Sequence, residues 1–193
     1  LATEWRLEPD GQSFRFKLRQ SVPFHNGTGA FTASDIQFTW QDFTQDDSGH
    51  GQAIQFKKGV ARIEVVNDYE AVIRLTEPDG NFLHALSEAE GGMEVVGKAS
   101  AAKQGVPNLQ TQPYAGTGPY QYVERRQGTH IRYKRVPYTH WKGNPDFPEF
   151  EFRFIKEGST RLAGLLTGEL HLATLPEDLM VEATKQGMKT VKG

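Results

Sequence analysis

The chain has 193 residues, with 22 Lys and Arg against 24 Asp and Glu for a net charge of −2, and it contains no cysteine. This near balance leaves no basic stripe for nucleic acid, and the missing thiols exclude disulfides and zinc–thiolate sites. No apolar run approaches the ~20 residues of a membrane helix.

The first element in the chain is a hairpin. Trp5 and Leu7 alternate with Arg6 and Glu8, and Phe14, Phe16 and Leu18 alternate with Arg15, Lys17 and Arg19. A period of two marks strands with one buried and one wet face. Asp10-Gly11 between them is a turn signal, because Gly accepts a positive φ. Pro23 and Gly27 are expected to end strand pairing. Thr32 is the expected N-cap of a helix with Asp35 as its capping partner, and Ile36, Trp40 and Phe43 share one face of that helix. Residues 44–52 read as a polar connector.

A second hairpin follows, with Ile63 and Val65 on one arm, Asn67-Asp68 at the turn and 71–75 on the other. Phe82, Leu83 and Leu86 predict a short helix, 87–94 a small polar connector, 93–96 a strand, and 98–104 a helix closed by Gly105. Residues 105–118 read as a long loop. Tyr120–Arg125 and Thr129–Val136 form a third hairpin about Gln127-Gly128. Phe150, Phe152 and Phe154 alternate with charges in a strand whose rings are expected to be core. Ser159 is expected to cap a helix that turns Leu162, Leu165 and Leu166 inward and ends at Gly168. A strand over 170–174 would then run parallel to the Phe150 strand. Pro176 opens a last helix that Gly187 closes. The fold class is α+β: a mixed sheet with local hairpins and short helices.

Chemistry is sparse. No G-x-S-x-G elbow, phosphate loop or H-E-x-x-H spacing occurs, and the histidines at 25, 50, 84, 130, 140 and 171 are scattered. No catalytic residue, metal site or cofactor is expected.

Four blocks together resemble the extracellular solute-binding proteins that feed peptide and nickel ABC importers. They are LATEWRLEPDGQSFRFKLRQSVPFHNGTGAFTASDIQFTW at 1–40, GTGPY at 116–120, NPDF at 144–147, and EGSTRLAGLLTGELHLA at 157–173. Departures are Asn26 where Asp is common, Gly29-Ala30 in place of Pro, and His171 in place of Asp. The resemblance implies part of the first lobe of a two-lobed periplasmic binding protein (type II, cluster C-like). Residues 30–115 would be an inserted subdomain, 1–29 and 116–193 the main sheet of that lobe, and the second lobe lies outside this chain. It further implies a monomer, periplasmic or extracellular, with a lipoprotein tether as one form of attachment, that captures a short peptide and hands it to a membrane permease.

The same resemblance makes Gly116, Gly118, Pro119, Tyr120, Ser159 and Arg161 scaffold residues, with the two glycines serving backbone geometry. It turns 44–52 and 87–94 toward the solute, where His50, Gln52, Glu88 and Glu90 would hydrogen-bond it and Met93 would pack on it. Three other readings stand beside this one: a non-peptide solute such as a nickel complex, opine or oligosaccharide; a sensory domain on the same fold; and a carbohydrate-binding module. The last needs exposed indole platforms, whereas Trp5 and Trp40 are expected to be buried.

Overall fold

The computed structural model describes residues 1–25, 27–87, 92–104 and 115–191. Strand β1 (Ala2–Leu7) turns into β2 (Ser13–Leu18) at Asp10-Gly11, where Gly11 takes φ 70°. The Asp10 carboxylate closes the turn by accepting from the Gln12 and Ser13 amides and the Ser13 hydroxyl at 3.0, 2.9 and 2.6 Å. Helix α1 (Ala33–Phe43) and helix α2 (Ala53–Gly59) come next, then β3 (Val60–Asn67) and β4 (Glu70–Leu75). These four strands form one antiparallel sheet in the order β1-β2-β4-β3, which joins residues 2–18 to residues 60–75.

The sheet has two unlike faces. Phe14, Phe16, Leu18, Ile63, Ile73 and Leu75 pack with Phe31, Ile36, Phe56 and Phe82 in one buried cluster. On the alternate positions Arg15 bridges Glu8 (2.7 Å) and Glu70 (2.6 Å), and Arg74 bridges Glu64 (2.7 Å) and Asp10 (3.3 Å). Hydrogen bonds from Arg74 and Arg62 hold the Glu64 carboxyl down at about 2.

Helices α3 (Phe82–Ala85) and α4 (Lys98–Gln104) follow. Strands β5 (Tyr120–Arg126), β6 (His130–Arg135) and β7 (Glu149–Arg153) make a three-stranded sheet in that order. Helices α5 (Gly158–Thr167) and α6 (Glu177–Lys185) end the chain. The chain divides into two compact units, Leu1–Glu124 with Tyr133–Phe150, and Arg125–Arg132 with Glu151–Gly193.

All three hairpins form where the alternation puts them, and Asp35 receives the Thr32 amide at 2.8 Å as the capping pattern requires. Other expectations are corrected. Trp5 is 54% exposed, because β1 is an edge strand with one neighbour, and its ring lies 6.3 Å from that of Phe14. Trp40 is partly buried against the core. Pairing does not stop at Pro23, which bridges Ala30 across the corner.

Residues 93–96 are not a strand; the backbone of Val96 bonds instead to the Thr39 side chain of α1. Residues 170–174 are not a strand either; Arg161 holds this stretch as a loop, so no parallel pair forms. The N-cap of α5 is Glu157, not Ser159, which lies inside the first turn. Leu166, Phe152 and Phe154 are exposed rather than core, because the second unit buries few apolar side chains. Helix α2 was missed, as its seven residues carry too short a period to read.

Candidate functional site

An aromatic row leads from the sheet to the edge of the first unit. Phe14 meets Phe82 at 5.4 Å, Phe82 meets Phe56 at 6.4 Å, and Phe56 meets Phe43 edge-on at 5.5 Å. The row ends at His50, whose ring lies 3.8 Å from that of Phe43. The Gln52 amide donates to Nδ1 of His50 at 3.2 Å. A neutral His50 therefore carries its proton on Nε2, which lies 3.8 Å from a carboxylate oxygen of Glu94.

Gln52 precedes α2, and its side-chain carbonyl oxygen is buried with no hydrogen-bond partner among the described residues. Met93 is partly buried against the core cluster, so its side chain is committed inward. Glu88 and Glu90 lie outside the described residues. The structure thus brings His50 and Gln52 together and adds Glu94, which the sequence analysis did not single out. Nothing in the spacing marks Glu94, because the segment carrying it follows no regular period. An imidazole, an amide carbonyl and a carboxylate beside an aromatic wall suit hydrogen bonding to a polar solute. Among the described residues no three metal-ligating side chains gather. A recess on the outer sheet face, lined by Glu4, Trp5, Arg6, Arg15 and Lys17, holds only about 10 Å³, too little for a solute.

The scaffold residues show what they touch. His25 donates its backbone N–H to the Gly116 carbonyl at 3.0 Å and its Nε2–H to the Gly118 carbonyl at 2.8 Å. His140, buried, donates Nε2–H to the Thr117 carbonyl at 2.9 Å and accepts the Lys142 amide on Nδ1 at 3.2 Å. Two histidines separated by 115 positions in the chain thereby grip three consecutive carbonyls, two through ring N–H groups and one through a backbone amide. Burial, together with the nearby charge of His140, lowers the His25 pKa against the opposing pull of the Gly118 carbonyl.

Neither Gly116 nor Gly118 has a positive φ, and a Cβ on either would meet nothing closer than 3.6 Å. The expected need for glycine backbone geometry is therefore not met at these positions; their carbonyls are what the fold uses. The Pro119 carbonyl accepts from Val136 at 3.0 Å, and the Tyr120 hydroxyl donates to the Phe147 carbonyl at 2.8 Å. In the second unit Arg161 donates to the carbonyls of Ile155, Lys156 and Thr174 at 2.6, 2.6 and 2.8 Å, fastening the loop after α5 to the chain before it.

The model of bacterial extracellular solute-binding proteins, family 5 (middle), matches residues 1–192. Probable di/tripeptide-binding protein 5 of Pseudomonas aeruginosa is 30% identical over 206 residues, covering 96% of this chain and 38% of that protein. Heme-binding protein A of Haemophilus influenzae is 28% identical, covering 91% of this chain and 35% of its own length. The crystal structure of a dipeptide-binding protein from Pseudoalteromonas sp. SM9913 in complex with Met-Leu superposes with a TM-score of 0.73. It is 28% identical and covers 88% of this chain and 36% of that one. The chain thus spans little more than a third of the length of these relatives.

Proposed function

The chain belongs to family 5 of the bacterial extracellular solute-binding proteins, and on that premise we propose that it is part of the first lobe of a protein that captures a short peptide. The observation that carries the reading is the match along almost the whole chain to a di/tripeptide-binding relative. In this reading two lobes close over the solute by a hinge, and the closed form is presented to an ABC permease. His50, Gln52 and Glu94 line the first lobe's share of the site. Their donors and acceptors suit the amide and ammonium groups of a peptide backbone, and the protein binds without catalysis. It works as a monomer at the outer face of the cytoplasmic membrane, with a lipid tether as one means of staying there. The heme-binding relative supports a second reading, in which the same lobe serves a non-peptide solute.

Half a clamshell binds weakly. Micromolar affinity corresponds to about −8 kcal/mol, and half of that, about −4 kcal/mol, is millimolar. Titration calorimetry of residues 1–193 with Met-Leu is expected to show millimolar binding at best. Native mass spectrometry of the full-length protein after mild purification tests the solute class. A retained mass of a di- or tripeptide supports the reading, and a retained tetrapyrrole mass moves the conclusion to the second one.

A further inference from the structure

We propose that Asp35 and Thr39, two buried polar side chains of α1, are positioning residues that set solute affinity by fixing the segment that carries Glu94. The proposal rests on the reading of His50, Gln52 and Glu94 as the solute-facing edge. Residues 92–97 belong to no sheet, so their backbone groups must find partners elsewhere. Thr39, 3% exposed, supplies one: its hydroxyl oxygen accepts the Val96 N–H at 3.0 Å. The single hydroxyl proton goes to the Asp35 carbonyl at 2.6 Å, with the Val96 carbonyl as a longer alternative at 3.3 Å. Asp35, 6% exposed, divides its carboxylate between two helices. One oxygen accepts the Thr32 amide at 2.8 Å and caps α1; the other accepts the Lys98 amide at 2.8 Å and caps α4.

Gly97 closes the clamp from another direction. A Cβ there would stand 3.1 Å from the Phe24 ring, so the backbone is seated against that ring with no slack. Val96, Gly97 and Lys98 are therefore held by three independent contacts, while Met93 is packed into the core at the other end. Glu94 is exposed between these fixed points, which place its backbone, and its carboxylate stands 3.8 Å from His50 Nε2. Binding groups lose affinity when their support loosens by about 1 Å, because the ligand must then reorder them. Neither Asp35 nor Thr39 has to touch the solute for this to operate.

The test uses full-length protein and the dipeptide Met-Leu. Thr39→Val keeps the shape and removes the hydroxyl; it is expected to weaken Met-Leu binding by about tenfold, and Thr39→Ser to restore it to within about twofold. Amide exchange at Val96 and Lys98 should rise in Thr39→Val and Asp35→Asn while the amides of β4 stay protected. In a His50→Ala, Glu94→Ala background the Thr39→Val effect on affinity should vanish, since a positioning residue acts only through the groups it positions. If Thr39→Val does not fold, Gly97→Ala pushes the same segment from the Phe24 side and should weaken binding likewise. Raised exchange with unchanged affinity in Thr39→Val overturns the proposal. Wild-type affinity in the His50→Ala, Glu94→Ala protein sinks the reading of the site instead, and no Met-Leu binding by the wild type removes both.

Discussion

The two compact units hold themselves together by different means. The first closes a four-stranded sheet over a continuous apolar cluster and covers the sheet's other face with paired charges. The second, among its described residues, buries little beyond Leu162, Gly164 and Ala183, and leaves Phe152 58% and Leu172 81% exposed. Its loops are tied by the three carbonyls that Arg161 collects. The lesson is that one chain can contain a unit with a complete core of its own beside a unit whose apolar side chains remain open.

The largest expected effect tests the core directly. Phe31 is fully buried, so Phe31→Ala should destabilise residues 1–193 by about 3–5 kcal/mol in a denaturant titration. Leu172→Ala should change stability by no more than about 0.5 kcal/mol. A Leu172→Ala cost above about 2 kcal/mol would break the contrast, since it would mean the second unit has a hidden core. Arg161→Ala comes next: losing a charged donor to three carbonyls should cost about 2 kcal/mol, seen as early proteolysis within 168–176 while the first unit resists.

The pH dependence sharpens the contrast, because the shifted groups of the first unit act in separate windows. The folded-state pKa of His25 is lowered, so the unfolded chain binds its proton first as pH falls. Stability should therefore start to drop below the ordinary histidine value of about 6.5 and stop dropping once the folded-state pKa is passed. His25→Gln should flatten that limb of the curve. Glu64, held at about 2, contributes stability that is complete above about 4.5 and fades as pH falls toward 2. Because its ion pairs are largely solvated, that limb should be shallow and should shrink in salt. The smallest signal is optical. Iodide should quench Trp5 more than Trp40, and Trp5→Phe should lower the quenchable fraction with almost no loss of stability, as befits an edge position.

Much of this fold is legible in the residues, and the legible parts share one property. Phe14, Phe16 and Leu18 alternate with charges, Asp10-Gly11 and Gln127-Gly128 mark turns, and Thr32 with Asp35 marks a helix start. Each of these signals is complete within a few residues. Where the same reasoning erred, the deciding partner was distant. Residues 93–96 have the composition of a strand, but Val96 bonds to Thr39 of α1, and Asp35 takes the amide of Lys98 just beyond. The Phe152 and Phe154 positions have the alternation of a buried strand, yet they stand 58% and 46% exposed. His50 and Gln52 were placed near each other by the connector between two helices, whereas Glu94 joins them only through the fold.

The sequence by itself determined the class of the protein: the order of its hairpins, the absence of thiol chemistry, and the four blocks that mark its family. Local hydrogen bonding and hydrophobic period decide those features, and both are written in neighbouring residues. Only the tertiary structure decided that His25 and His140 would share the carbonyls of 116–118, that α1 would brace the segment bearing Glu94, and which aromatic rings would find cover. Those outcomes depend on pairs separated by tens of positions, and each is settled by which backbone groups are left wanting a partner once the sheet and helices have taken theirs.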